Sequence, residues 1–271
     1  MAERSSQQLC LAIVMPRRTK PFQQIPMRLM IFQKKVRNEA NMQNMIECRG
    51  IAMPHDERFI NTKVHKRLSQ DMYETPEVLG LEKFIKSSDR ILELGAGLGF
   101  ISSYLVKHLG VDHVTCVEAN PQLCNYIERV HRANEIENAS ITNAVALSDS
   151  ATWPKDDVMP FYVTDPFWSS SLSEPQNKPS TITHVAATRL SDMIKRENPS
   201  VIVCDIEGGE ASLFDSVDLK GVRAIYMELH TRVYGGAGIR KVFDDMHRHN
   251  FFYHQKASCA DVVLFERLKM H

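Results

Sequence analysis

The sequence predicts an α/β fold built on a mostly parallel sheet, and three observations carry that prediction. A short apolar run, Ile91, Leu92 and Leu94, ends in glycines at alternating positions, Gly95, Gly97 and Gly99. Strand-like and helix-like patterns then alternate to the C-terminus, as they do when helices cross over between parallel strands. The last two strand-like segments, residues 251–255 and 261–266, are joined by a short loop instead of a helix. The final strand is therefore antiparallel to the rest.

Residues 1–43 read as a basic, loosely structured arm. Residues 1–50 carry nine Lys or Arg against three Glu, and the basic residues follow the short apolar run at 9–15, which makes a poor secretory signal. Met15, Met27 and Met30 are also candidate starts. Residues 44–54 read as two short strands around Arg49-Gly50. Residues 65–85 read as helical, with Leu68, Met72, Val78, Leu81 and Phe84 as apolar anchors. Residues 44–88 thus make a small N-terminal β/helical region, and residues 89–271 the main domain.

In that domain strands are expected at 90–95, 113–118, 139–146, 200–205, 222–229, 251–255 and 261–266. Helices are expected near 99–109, 121–135, 189–197, 209–216 and 236–249. Asn120 and Pro121 suit the start of the second helix, and Leu123, Ile127 and Val130 supply its apolar stripe. Ile239, Val242, Phe243 and Met246 do the same for the last. The alternation breaks at 148–198, an insertion between the third and fourth strands. It holds Trp153, Phe161, Tyr162, Phe167, Trp168 and serines 169–171, a content that suits a structured lid or substrate wall.

Charge and cysteine usage narrow the class. Lys plus Arg equals Asp plus Glu at 33 each, so no general attraction for nucleic acid is expected. The six cysteines, Cys10, Cys48, Cys116, Cys124, Cys204 and Cys259, show neither paired nor metal-binding spacing, and reduced thiols in a cytoplasmic setting are expected. No apolar run approaches the ~20 residues a membrane helix needs.

The glycine-rich turn is the first chemical signature. Glycines allow positive φ and close ligand approach, and the following helix N-terminus offers free N–H groups. The spacing departs from the dinucleotide pattern, in which the third glycine comes three residues after the second. Glu93 stands two residues before Gly95. This E-x-G-x-G-x-G run resembles motif I of class I S-adenosylmethionine (SAM) methyltransferases. That resemblance implies a SAM cofactor held by Glu93, Gly95, Ala96, Gly97 and Gly99, with Glu93 toward its methionine end. Glu118 ends the second strand about 20 residues beyond the glycines, where such folds place a carboxylate for ribose hydroxyls; the alternative is a solvated strand-end charge. Asn143 and Ala144, at the end of the third strand, are candidates for the adenine edge. Tyr73 and Glu74, ahead of the first core strand, are candidates to fold over the cofactor. Five strands with helical crossovers, closed by a hairpin, also match the class I methyltransferase sheet.

The second signature lies one strand over. The strand ending at Cys204 runs into Asp205-Ile-Glu-Gly-Gly-Glu210, and the next ends in Glu228-Leu-His230. Open α/β sheets bind ligands beyond these strand ends. Together with Tyr73-Glu74, motif I and Glu118-Ala-Asn-Pro121, these residues resemble the FkbM family of SAM-dependent methyltransferases, over roughly three quarters of the chain. The resemblance implies O-methylation of a hydroxyl on a sugar or small natural-product-like acceptor.

His230 is the first candidate for general base, because an ordinary imidazole accepts a proton near neutrality. Asp205 and Glu207 are the second candidates. No metal is expected; the alternative is a divalent ion held by Asp205, Glu207 and His230. Glu210 is expected to favour the start of its helix. Rival functions are an RNA or protein methyltransferase using the basic arm, a SAM-binding module without turnover, and, more distantly, an NAD dehydrogenase.

Overall fold

Seven strands form the central sheet. The computed structural model describes residues 44–167, 170–172, 174–175 and 179–269; the basic arm, Cys10, Trp168 and Ser169 lie outside the described residues. The chain begins with an antiparallel pair, β1 (Met45–Cys48) and β2 (Ile51–Pro54), around Arg49 and Gly50. Two helices follow, α1 (Thr62–Ser69) and α2 (Thr75–Phe84). The single helical stretch expected over 65–85 is therefore broken, and Met72 lies in the break, half exposed. Asn61 caps α1 by accepting from the backbone of Lys63 and Val64. Pro76 opens α2 after Glu74, which sits in the left-handed region at φ 47°.

The repeating units come next: β3 (Arg90–Leu94), α3 (Phe100–Lys107), β4 (His113–Glu118), α4 (Pro121–Ala133) and β5 (Ala139–Asn143). The strand expected over 139–146 divides at Ala144. Its second part, β6 (Val145–Leu147), leaves the central sheet and pairs with β8 (Ser180–Arg189), which also pairs with β7 (Val158–Thr164). Strands β7 and β8 of the insertion thus join β6 in a second, three-stranded sheet. In it Arg189 stacks 4.4 Å over the Trp153 ring, a contact that holds Trp153 at the surface.

The second half comprises α5 (Leu190–Glu197), β9 (Val201–Cys204), α6 (Glu210–Leu213), β10 (Ala224–Glu228), α7 (Thr231–Arg248), β11 (Phe251–Tyr253) and β12 (Val262–Arg267). Helix α7 starts at Thr231, five residues before the expected start at 236, and is interrupted at Gly235, where φ is 61° and ψ −172°. The sheet order is β11-β12-β10-β9-β3-β4-β5. All neighbours from β10 to β5 are parallel, and β12 runs antiparallel to β10, as the missing helix predicted.

Alternation along β3 divides the core. Ile91 belongs to the apolar cluster with α3 and α4, and Leu92 and Leu94 to the cluster with α5, α6 and α7. Buried apolar runs on β3, β4, β9 and β10 suit strands covered on both faces. At the lower edge Asp89 rivets three elements: it accepts from Ser200 Oγ at 2.7 Å, from Lys86 N at 2.8 Å and from Arg223 Nε at 2.8 Å, and it also pairs with Arg223 Nη2.

Candidate active site

The site is set by strand register. Val117, Leu94, Cys204 and Met227 line up across β4, β3, β9 and β10. The next residue of each strand is Glu118, Gly95, Asp205 and Glu228. One row beyond the buried sheet, four neighbouring strands therefore deliver three carboxylates and a glycine. The strand order reverses between β3 and β9, the crevice where ligands bind in open α/β sheets. A cavity of about 1240 Å³ opens there, larger than the roughly 300–1,000 Å³ of typical single-ligand pockets.

The three glycines answer three different demands. A Cβ on Gly95 would stand 1.6 Å from the Asp205 carbonyl oxygen, so only glycine lets the two loops meet. A Cβ on Gly99 would press to 2.8 Å on Ile127 of α4. Gly97, at φ 52°, has nothing within 4 Å of that position and lines the cavity. It leaves a stretch of bare backbone open to a ligand. The loop is tied down through Gly95 N and Ala96 N, which donate to Val117 O at 2.9 and 3.3 Å.

Glu118 is buried and grips this loop. Its Oε2 accepts from Gly97 N at 2.9 Å and its Oε1 from Asn120 N at 2.8 Å. Burial pushes its pKa up to about 7, against those backbone hydrogen bonds. Glu93 points to the α3 side of the sheet, against Ser102 and Cys116, and is also buried. Burial lifts its pKa to about 8, and its Oε2 is shut off from solvent without a hydrogen-bond partner. Glu93, Gly95, Ala96, Gly97, Glu118 and Ala144 all line the cavity. Asn143 does not reach it: its Nδ2 donates to the carbonyls of Glu118 and Ala119 at 2.8 and 2.9 Å. It shapes the turn after β4 and leaves the wall to Ala144. Tyr73 and Glu74 close the cavity from the break between α1 and α2. Tyr73 packs edge-to-face on Phe100, with ring centroids 5.5 Å apart. Burial and the charges of Glu77 and Glu228 raise Glu74 to about 8.

The second signature closes around His230. Its Nδ1 lies 3.1 Å from Glu210 Oε1, and its Nε2 lies 3.2 Å from Glu207 Oε2, 3.6 Å from Asp205 Oδ1 and 4.0 Å from Glu228 Oε1. Burial alone would press the His230 pKa down. Hydrogen bonds to Glu207 and Glu210, with the charges of Glu210 and Asp205, outweigh it and lift the pKa to about 11. Packing among these carboxylates thus moves the imidazole up from the ordinary range expected from sequence and favours its protonated form. Burial and the charges of Glu228, Glu207 and Glu74 raise Asp205 well above the usual carboxylate range.

Glu210 stands at the helix start, as expected, and has a second role. It opens the four-residue α6, but its Oε1 accepts from Ile206 N at 3.0 Å and Gly208 N at 3.3 Å, and so braces the 205–208 turn and the imidazole together. Sequence reasoning also missed Tyr234, whose Oη accepts from His230 N at 2.7 Å. Its only signal was the spacing of four from His230 at a helix start. Phe161 and Phe167 of the insertion line the cavity.

Residues 93–256 match the model of the methyltransferase FkbM domain. No curated protein sequence matches the chain. Among solved structures, the chain is similar to an O-methyltransferase from Bacillus cereus in complex with SAH, at 12% identity and TM-score 0.45, covering 79% of this chain and 92% of that one. It is also similar to M. jannaschii TYW2 in complex with AdoMet, at 12% identity and TM-score 0.44, covering 83% and 86%. The family match spans more than half of the sequence and takes in the glycine turn, Glu118, the Asp205–Glu210 loop and His230; the chain belongs to the FkbM methyltransferase family.

Proposed function

We propose that the protein transfers a methyl group from SAM to a hydroxyl of a small, sugar-like or natural-product-like acceptor. The observation that carries this reading is the row Glu118, Gly95, Asp205 and Glu228, which sets a cofactor cradle and an acidic acceptor edge on the two sides of one cavity. The cofactor is S-adenosyl-L-methionine. The residues fit it on two counts: Gly97 leaves bare backbone facing the cavity, and Glu93 Oε2 is a buried acceptor in need of a donor. When bound, the cofactor supplies an electrophilic methyl on a sulfonium, open to in-line displacement.

The chain's own residues do the rest. Glu118 takes the ribose hydroxyls. The bare backbone at Gly95, Ala96 and Gly97 lies along the nucleoside, while Gly99 fixes the turn on α4. Glu93 faces the methionine end, Ala144 the adenine, and Tyr73 with Glu74 covers the opening. Asn143 acts through the turn it ties. Alignment is the larger part of such catalysis. A plain alcohol also needs its proton removed as it attacks, and Asp205 or Glu207 accepts it. His230 holds Glu207 through Nε2 and faces Asp205 at 3.6 Å.

The size of the cavity supports a small acceptor beside the cofactor, and the balanced net charge argues against nucleic acid. Among the described residues no helix is long and apolar enough to cross a membrane. The buried thiols of Cys48, Cys116, Cys124 and Cys204 are free, which supports a cytoplasmic setting. The test is a screen of hydroxylated acceptors read by released S-adenosylhomocysteine. Turnover with a sugar or polyketide-like alcohol supports the reading; turnover with RNA or protein alone would replace it.

A further inference from the structure

We propose that Asp205, Glu228 and Nε2 of His230 bind a divalent cation at the acceptor edge of the cavity, the ion displacing the Nε2 proton to solvent, an inference that rests on the methyl-transfer reading. One donor atom from each lies within 4.8 Å of the others. His230 Nε2 stands 3.6 Å from Asp205 Oδ1 and 4.0 Å from Glu228 Oε1. Both spans are too long for hydrogen bonds. Neighbouring ligands about 2.1 Å from a shared ion stand about 3.0–3.4 Å apart, so these side chains need draw in by only about half an ångström to hold one.

Two further observations point to a missing partner. Asp205 Oδ1 is shut off from solvent and accepts no hydrogen bond, a state that buried carboxylate oxygens avoid. The imidazole is also held as metal-binding histidines are: a buried carboxylate takes one ring nitrogen and turns the other toward the site. Here Glu210, 1% exposed, accepts at Nδ1, and is itself fixed by Ile206 N and Gly208 N. Carboxylate oxygens with a single imidazole nitrogen suit manganese or magnesium better than a thiolate-seeking metal.

Glu207 stands outside the three, with its Oε2 3.2 Å from Nε2. It is placed to receive the proton of an acceptor hydroxyl made more acidic by the ion. The proton passes to its carboxylate as the new O–CH3 bond forms and the C–S bond breaks, and the sulfur keeps that electron pair as a neutral thioether.

The test uses the full chain, stripped with chelator and dialysed, titrated with manganese by calorimetry and by the paramagnetic signal of the free ion. One saturable site is expected, and chelation should lower turnover. Glu228→Gln should weaken manganese binding by roughly tenfold or more while retaining the wild-type melting temperature. Asp244→Asn, an exposed carboxylate far along α7, should bind as wild type. Absence of saturable binding at millimolar manganese overturns the proposal, as does wild-type affinity in Glu228→Gln. SAM affinity is measured in the same samples. Manganese binding without SAM binding would sustain the cation site and count against the methyl-transfer reading instead.

Discussion

Gly97→Ala separates what the glycine turn does for folding from what it does for the cofactor. The backbone there has φ 52°, and an added Cβ meets nothing within 4 Å. The folding cost is therefore conformational strain alone, about 1–2 kcal/mol for an L residue in the left-handed region. In a domain of this size that lowers the melting temperature by about 2–8 °C. Gly110→Ala is the matched control. Its φ is 66°, its nearest neighbour would be Ser87 Cβ at 3.8 Å, and it lies off the cavity. Both variants should therefore melt lower by similar amounts. Only Gly97→Ala should lose SAM affinity, because its methyl occupies the space the nucleoside needs. Isothermal calorimetry should show a Kd raised about 10- to 100-fold, or about 1.4–2.7 kcal/mol. Equal Kd values for both variants would refute the cradle.

Other consequences follow from the same contacts. Asp205→Asn should cut kcat far more than it weakens SAM binding; equal losses would move Asp205 to the cofactor side. Asp89→Ala should destabilise the fold by about 3–5 kcal/mol in urea titrations, because Arg223 loses its buried partner. Arg223, Ser200 and Lys86 N outweigh burial and hold the Asp89 pKa below the usual carboxylate range. Its contribution is therefore complete above that range and lost as pH falls through the lowered value, so wild type and variant should converge in acid. His131 has the same sign: burial presses its pKa to about 4, so stability should fall by about 3 kcal/mol as pH drops from roughly 6.5 to 4. His131→Gln should flatten that slope, and an unchanged slope would place the titration elsewhere.

The sheet was legible because its strands carry apolar runs too long for solvent-exposed pairing, and because the missing helix before β12 announced an antiparallel strand. The site was legible where residue type and strand end coincide, at Glu118, Asp205, Glu228 and the glycines. Three features escaped for physical reasons. The break at residues 70–74 interrupts a pattern whose apolar spacing continues across it, and only the left-handed backbone of Asp71 and Glu74 reveals the turn. The departure of β6 from the sheet depends on pairing with β8, forty residues away. The charge on His230 depends on Glu210, whose position in the chain suggests a helix start but whose carboxylate folds back onto the preceding turn. Such electrostatics follow from packing distances, which residue order does not contain.

A crystal structure with bound S-adenosylhomocysteine tests the central claim most directly. The account predicts the ribose on Glu118, the backbone of Gly97 along the nucleoside, and the sulfur facing Asp205, Glu207 and His230 across a space for the acceptor. A nucleoside bound elsewhere, or a sulfur turned toward α3 and away from that acidic edge, would contradict it.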